Sequence, residues 1–470
     1  MLFNSVDFLL FFPIVVFLYW ILPHKFRNPM LLVASYYFYM NWEPVYALLI
    51  AFTTMTTWAC SLQMTSRPPK KRLFLTLNLL ANFAILFTFK YLDFITETVF
   101  DLLNLTGLRM SVPKFNLLLP VGISFYTFQA IGYTIDVYRR KVEAERNLLT
   151  YALFVSFFPQ LVAGPIERAS NLLPQFKKKH VFDGNFVVEG LKLMVWGYFM
   201  KMCVAQQVGP YVDAVYNNIY QHNGTSILFA SLLFAFQILC DFGGYSLIAI
   251  GTAKCLGFNL MMNFNRPYLS SSVKDFWRRW HISLSSWFAE YVYIPLGGSR
   301  CSETKHQRNI IVTMLASGLW HGANWTFVVW GAYHGILQML LSLKKYVIKR
   351  YRLTVVTIPK WLCVVITLPF ILFGWIFFRA NSMDDAFFAI KSIFTNTGML
   401  YNGDGKPMIA LYLLMIFILI VKSVKDEAGW NLHFMHSRRI AVSAFWTAMM
   451  IVVILLCARF ESSPFIYFQF

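Results

Sequence analysis

Long apolar runs are the feature that most constrains this chain. A helix needs about 20 apolar residues to cross the hydrocarbon core of a bilayer. Apolar types make up 58% of the 470 residues and charged types only 13%, whereas soluble domains carry roughly 25% charged residues. The sequence therefore predicts an all-helical polytopic membrane protein and excludes a disordered chain, a coiled coil and a secreted disulfide scaffold. The predicted spans, about eleven, are 6–22, 30–40, 46–62, 73–89, 117–137, 187–205, 226–250, 325–343, 360–378, 408–421 and 440–458.

Three further segments are apolar but interrupted, namely 148–166, 273–297 and 309–322. We place the N-terminus outside and let the three interrupted segments enter and leave the membrane on the cytoplasmic side. Most of the 41 Lys and Arg residues then fall in cytoplasmic loops, which is the preference of membrane proteins. On this topology 309–320 and 325–343 form a hairpin with its bend at 320–323. Irregular backbone at membrane depth is tolerated where protein buries it or water reaches it, so we expect the bend to line a cavity.

We predict one membrane domain over residues 1–470, with its central part at 117–343 and C-terminal helices at 360–458. The first 22 residues lack a basic stretch and a small-residue cleavage site, which favours a retained span over a signal peptide. The segment 379–407 is rich in Asn, Gly and Asp and is predicted to be a loop that faces outside.

Several function classes are excluded by charge and motif. The net charge is +19, but the charges lie in short loops between spans and no nucleic-acid recognition motif is found. The seven cysteines contain no C-x-x-C pair, so neither a disulfide framework nor a thiolate zinc site is indicated. The absence of a Walker loop and of G-x-S-x-G argues against a nucleotide-driven pump and against a standard serine hydrolase.

His321 is the first candidate for chemistry because it sits at the predicted bend. Ionisable residues at membrane depth are costly and are functional candidates by default. Imidazole titrates near neutral pH and acts as a general base. Gly318 and Gly322 flank it and permit a close backbone approach. The alternative is a neutral histidine that hydrogen-bonds two helices together.

His281 is the second candidate. Apolar residues between 273 and 291 recur at spacings of three and four, which predicts one amphipathic helix at the cytoplasmic interface. His281 lies on the apolar stripe, between Trp277 and Leu284. Its alternative role is that of a histidine in a plain interfacial anchor.

Other polar residues are less specific. Gln129, Asp136, Asp241 and the 158–168 segment either line a cavity or bond neighbouring helices, which is the commoner use. His334 is predicted to be structural. A zinc site from His281, His321 and His334 is conceivable, but no H-x-x-x-H or H-E-x-x-H spacing supports it, and we expect no metal.

Both histidine segments resemble the signature of the membrane-bound O-acyltransferase family, and most of all its bacterial alginate O-acetyltransferase branch. The matches are D-F-W-R-R-W-H-I-S-L-S at 275–285 and G-L-W-H-G at 318–322. The histidines of the two motifs are 40 residues apart. Further matches are the opening at 1–5, F-F-P-Q-L-V-A-G-P-I at 157–166, Y-I-P-L-G-G at 293–298 and the ending at 465–470.

The resemblance implies a ring of tilted transmembrane helices, with re-entrant helices, around a central funnel. It implies O-acyl transfer, with His321 catalytic and His281 supporting. The implied donor is a cytoplasmic thioester, acetyl-CoA for this branch, with no permanently bound cofactor. We expect Arg278, Arg279 and Trp280 to face that donor.

For this branch the resemblance also implies a bacterial inner-membrane location. A separate periplasmic or extracellular O-acetyltransferase partner would complete O-acetylation of an exported polysaccharide such as alginate. Three alternatives stay open at this point: a D-alanyl transferase that uses a carrier protein, a peptidoglycan O-acetyltransferase, and a transporter of a lipid-linked sugar with His321 in a gate.

Overall fold

The computed structural model describes residues 1–106, 113, 115, 117–162, 164–352, 354, 358–403, 405–428, 440–459 and 466. Most of these residues are helical and none of them forms a strand. The matched ending at 465–470 lies outside the described residues except for Ile466. The α-helices in chain order are α1 (Val6–Ile21), α2 (His24–Met40), α3 (Ala47–Ser66), α4 (Lys71–Leu86), α5 (Leu92–Leu105), α6 (Ile123–Tyr138), α7 (Leu148–Ser156), α8 (Phe158–Leu161), α9 (Ala169–Lys177), α10 (Gly184–Tyr198), α11 (Gln206–Tyr216), α12 (Gly224–Cys255), α13 (Val273–Arg279), α14 (Ile282–Phe288), α15 (Glu303–His321), α16 (Trp325–Tyr351), α17 (Lys360–Arg379), α18 (Met383–Thr395), α19 (Lys406–Glu427) and α20 (Ile440–Cys457).

Seven helices of the described chain are long and apolar enough to cross a membrane. This confirms the predicted all-helical, polytopic membrane class. The number of about eleven spans stays a prediction, because several predicted spans form shorter helices such as α1, which has 16 residues. The seven candidates are Pro44–Ser66, Pro68–Leu105, Gly224–Cys255, Trp325–Tyr351, Lys360–Arg379, Lys406–Glu427 and Ile440–Cys457.

Contacts group the chain into two compact units. The first comprises Met1–Leu193 and Ile248–Met261, and the second comprises Met194–Leu247 and Met262–Phe470. Both candidate histidines belong to the second unit. The predicted single domain and its funnel stay predictions.

Buried polar side chains bond the helices of the first unit to one another. Asn78 on α4 donates to the Thr134 hydroxyl of α6 at 2.5 Å and accepts from the Thr57 hydroxyl of α3 at 3.2 Å. Gln129 on α6 donates to the carbonyl oxygen of Phe154 on α7 at 2.6 Å. Interhelical bonds of this kind hold transmembrane helices together, so the structural role weighed for Gln129 is the one observed.

Side-chain caps fix the starts of three helices in the second unit. Ser272 accepts the Asp275 N–H at the start of α13, Asn324 accepts the Thr326 N–H at the start of α16, and Ser382 caps α18. Such caps satisfy amide groups that the helix itself leaves unpaired. The predicted outer loop 379–407 is corrected here: α18 occupies its first half, because Ser382 starts a helix and an apolar face with Ala386 and Ala389 is buried.

Candidate active site

The hairpin of α15 and α16 places His321 at its bend. α15 ends at His321, and α16 begins at Trp325. The two helices approach closely because Gly318 has no side chain: a Cβ at this position would lie 2.3 Å from the Phe327 carbonyl oxygen. The predicted hairpin and the role of Gly318 in close approach are both confirmed.

His281 sits at a break between two short helices. α13 ends at Arg279 and α14 begins at Ile282, while His281 itself has a φ of 41°. This left-handed conformation is strained for any residue with a Cβ. The prediction of one continuous amphipathic helix over 273–291 is therefore wrong, because a left-handed residue cannot continue a right-handed helix.

The structure brings the two histidines together. The ring centroids of His281 and His321 lie 6.2 Å apart, with a 52° angle between the ring planes. Both side chains are fully buried, at 0% and 1% exposure. A neutral imidazole has one nitrogen that accepts a proton and one that donates a hydrogen bond. Two such groups on separate elements can act on one substrate.

Aromatic rings form the walls around this histidine pair. Phe242 of α12 meets His281 edge to face at 4.6 Å, and Trp320 lies 5.6 Å from it. On the other side, Trp330 and Phe378 lie 5.0 and 5.4 Å from His321. Apolar walls exclude water, and charges that develop in such a site interact more strongly than they would in water.

His334 is buried beside this pair but faces a different set of rings. Its ring stacks on Phe276 at 6.1 Å and contacts Trp277 and Trp330 at 5.3 and 5.0 Å. Among the described residues, no group of three His, Cys, Asp or Glu side chains could hold a metal ion. These contacts support packing as the role of His334.

Arg279, a predicted donor-binding residue, is held in an ion-pair network. Its guanidinium donates to both carboxylate oxygens of Glu427, at 3.0 and 3.1 Å, and to Asp275 at 3.2 Å. Glu427 also accepts from Lys360 at 2.6 Å. The hydrogen bonds that Arg279 donates to Glu427 raise the pKa of Arg279. This arrangement joins α13 to α17 and α19, while contact with a donor stays a prediction.

The side chain of Trp280, another predicted donor-binding residue, lies in the interior of the protein. It is fully buried and lies 4.8 Å from Trp375 and 5.4 Å from Phe276. Its indole therefore contributes to the packing behind the histidine pair, and its predicted contact with the donor is untested.

Arg278 is exposed and lies near two other cations. Lys274 is one helical turn away on α13, and Lys345 is on α16, which packs against α13. Burial lowers the pKa of Lys274, and the charges of Lys345 and Arg278 lower it further. We call Lys274, Arg278 and Lys345 the cation cluster. Lys274 and Lys345 were not among the residues predicted to face the donor, although the four-residue spacing of Lys274 and Arg278 was a signal for Lys274.

A buried ion pair involves Asp241, the residue before Phe242 on α12. Lys201 donates to Asp241 at 2.5 Å, and their side chains are 1% and 7% exposed. Asp241 also accepts the N–H of Ile466 at 2.8 Å. Asp241 was among the polar residues singled out from the sequence, whereas Lys201 was not; a single Lys within an apolar run was the available signal for it.

The chain is similar to known proteins over its full length. The model of the membrane-bound O-acyltransferase family matches residues 140–383. The chain is 34% identical to the probable alginate O-acetylase AlgI of Azotobacter vinelandii, and the match covers 100% of both chains. It is 38% identical to the protein of that name from Pseudomonas aeruginosa, over 84% of this chain and 75% of the relative.

A third relative has a different acceptor in its name. The peptidoglycan O-acetyltransferase of Helicobacter pylori is 35% identical, over 84% of this chain and 80% of the relative. The matched region, residues 140–383, contains both histidines, the cation cluster and the α15–α16 hairpin. The chain therefore belongs to the membrane-bound O-acyltransferase family, in the branch that contains the alginate O-acetylases, and is an O-acyltransferase.

Proposed function

We propose that this enzyme takes an acetyl group from acetyl-CoA at the cytoplasmic face and passes it across the membrane for O-acetylation of an exported polysaccharide such as alginate. The observation that carries the proposal is the buried pair of His281 and His321, with centroids 6.2 Å apart. The names of full-length relatives support the acetyl group and the polysaccharide.

His321 acts as the general base in this mechanism. Its neutral imidazole takes the proton of the acceptor hydroxyl as the oxygen attacks the thioester carbonyl. The carbon–sulfur bond then breaks, the ester forms, and His321 returns the proton to the departing CoA thiolate. General acid–base help of this kind contributes about 10²–10⁴-fold to the rate. His281 orients the thioester and stabilises the negative charge that develops on its carbonyl oxygen.

The cation cluster binds the phosphates of the donor. Exposed Arg278 joins Lys274 and Lys345 to give three like charges close together, an arrangement that polyphosphate anions stabilise. Arg279 and Trp280 support this surface from beneath, the first through its ion pairs and the second through its ring contacts.

The transmembrane topology follows from this assignment. The cation cluster and the basic loops face the cytoplasm, in keeping with the preference of Lys and Arg for that side, and the N-terminus lies outside. The enzyme sits in the bacterial inner membrane. A separate periplasmic or extracellular O-acetyltransferase completes the transfer to the polysaccharide.

Release of CoA from acetyl-CoA tests the proposal. The wild type and a His321→Ala variant are purified in detergent and assayed with and without alginate oligosaccharides. We expect His321→Ala to lose about 10²–10⁴-fold in rate. His306→Ala is the matched control, because His306 lies near the start of the same helix. Unchanged turnover in a folded His321→Ala protein would contradict the assigned role.

A second acceptor is favoured by the Helicobacter pylori relative. Peptidoglycan fragments are therefore assayed beside alginate with the separate O-acetyltransferase present, and the acceptor that stimulates CoA release identifies the polysaccharide. Turnover only with an acylated carrier protein would indicate D-alanyl transfer. Movement of a lipid-linked sugar without thioester consumption would indicate a transporter.

A further inference from the structure

The turn that carries His281 is bound on both flanks by the segment between α12 and α13. The Asn265 N–H donates to the Arg279 carbonyl oxygen at 2.9 Å, and the Ile282 N–H donates to the Asn263 carbonyl oxygen at 2.9 Å. One bond lies before His281 and the other after it. Both hold a turn whose central residue has a left-handed backbone.

The side chain of Asn263 adds a second set of bonds. Its Oδ1 accepts from the Ser283 hydroxyl at 2.6 Å, and its Nδ2 donates to the Ser246 hydroxyl on α12 at 2.9 Å. All three side chains are buried, with Asn263 1% exposed. Asn263 therefore joins the start of α14, directly after His281, to the long helix α12.

The same helix also contacts the imidazole directly. Phe242 precedes Ser246 by four residues, so the two side chains lie on one face of α12. Phe242 meets the ring of His281 at 4.6 Å, while Ser246 bonds Asn263. α12 thus contacts the imidazole ring of His281 through Phe242 and is linked through Asn263 to the backbone directly after His281.

We propose that Asn263 is a positioning residue for His281, acting through the left-handed turn; the catalytic part of this inference rests on the proposed function. Groups that act on a reacting substrate must be held to a fraction of an ångström, and a displacement of about 1 Å can cost on the order of 10²-fold in rate. Without the Asn263 side chain, the turn loses its links to Ser283 and Ser246, and the strained φ of His281 can relax.

Steady-state kinetics of CoA release test this role. We expect Asn263→Ala to lower kcat on the order of 10²-fold and to leave KM for acetyl-CoA unchanged. Asn263→Asp keeps an oxygen for Ser283 and should retain more activity than Asn263→Ala. Ser246→Ala is the milder variant, in case Asn263→Ala does not fold. A wild-type kcat in folded Asn263→Ala would overturn the proposal.

Asn78→Ala is the matched control. Asn78 is also a fully buried asparagine that donates to a hydroxyl, that of Thr134, but it belongs to the first unit. We expect Asn78→Ala to lower the Tm without changing kcat per folded molecule. An equal loss of kcat in both variants would show that Asn263 has a general structural role only.

A double variant separates positioning from stability. In a His281→Ala background there is no imidazole to position, so adding Asn263→Ala should not lower the rate further. An additional loss as large as in the wild-type background would overturn the proposal.

The test also has a readout that does not depend on the donor. If wild-type enzyme releases no CoA, the proposed function fails, and cryo-electron microscopy of Asn263→Ala then decides the structural claim. We expect the His281 ring to move relative to His321 while α12 and α15 stay in place. An unmoved ring would overturn the positioning role.

Discussion

Gly318 and Gly331 face each other across the α15–α16 hairpin, so closely that a Cβ on Gly318 would lie 3.2 Å from the Cα of Gly331. A Cβ on Gly331 would in turn lie 2.5 Å from the carbonyl oxygen of Met314. Small residues on both helices allow this backbone contact. Because His321 ends α15, the contact also sets the position of its imidazole.

Gly318→Ala should therefore reduce both stability and acyl transfer. The added methyl group would meet the Phe327 carbonyl oxygen, and overpacking of this kind costs about 1–3 kcal/mol. Thermal unfolding in detergent and CoA release measure the two effects. Gly184→Ala is the control, because nothing lies within 4 Å of a Cβ at this helix end. Equal stability of the two variants would contradict the close contact.

The left-handed backbone of His281 gives a second prediction. His281→Gly and His281→Ala both remove the imidazole, but only glycine adopts a φ of 41° without strain. We expect the glycine variant to be more stable than the alanine variant by about 1 kcal/mol. The difference in free energy of unfolding between the two purified variants measures this strain, and a more stable alanine variant would refute it.

The sequence predicted the α15–α16 hairpin correctly but did not predict the break between α13 and α14 at His281. Basic residues precede the apolar run 309–320 and follow the run 325–343, and their preference for the cytoplasmic side was enough to place the bend between the two runs. The apolar spacing through Trp277 and Leu284, by contrast, is continuous across His281 and favours a single helix. At the break, Asn263 accepts hydrogen bonds from the Ile282 N–H and the Ser283 hydroxyl. A local sequence pattern cannot predict tertiary bonds of this kind.

The surface proposed to bind the donor shows the same limit of sequence-based prediction. Arg278 and Arg279 are adjacent in sequence and equal in charge, so composition could not distinguish their roles. The structure separates them: Arg279 turns toward Glu427, whereas Arg278 is exposed beside Lys274. The direction of each side chain depends on helix packing that brings α19 to α13.

This separation predicts opposite effects of two neighbouring substitutions. Arg279→Ala removes hydrogen bonds between charged groups, each worth about 1.5–3 kcal/mol, and should lower the Tm. Arg278→Ala should leave the Tm unchanged and raise KM for acetyl-CoA. Thermal unfolding and the dependence of CoA release on donor concentration distinguish the two. A raised KM in Arg279→Ala at unchanged Tm would reverse the assignment.

Lys201 and Asp241 give the last prediction. Their ion pair, 2.5 Å long, is almost fully buried. Removing one partner leaves the other charge uncompensated, which typically costs 3–5 kcal/mol. Lys201→Met should therefore destabilise the protein strongly.

The double variant Lys201→Met/Asp241→Leu removes both charges and should be more stable than Lys201→Met alone, since apolar replacement of a whole buried pair is often neutral. It still loses the acceptor for the Ile466 N–H, so recovery should be incomplete. Free energies of unfolding of Lys201→Met, Asp241→Leu and the double variant form the test. If the losses of the single variants add in the double variant, the two side chains are not coupled, and the ion pair does not account for the stability of this region.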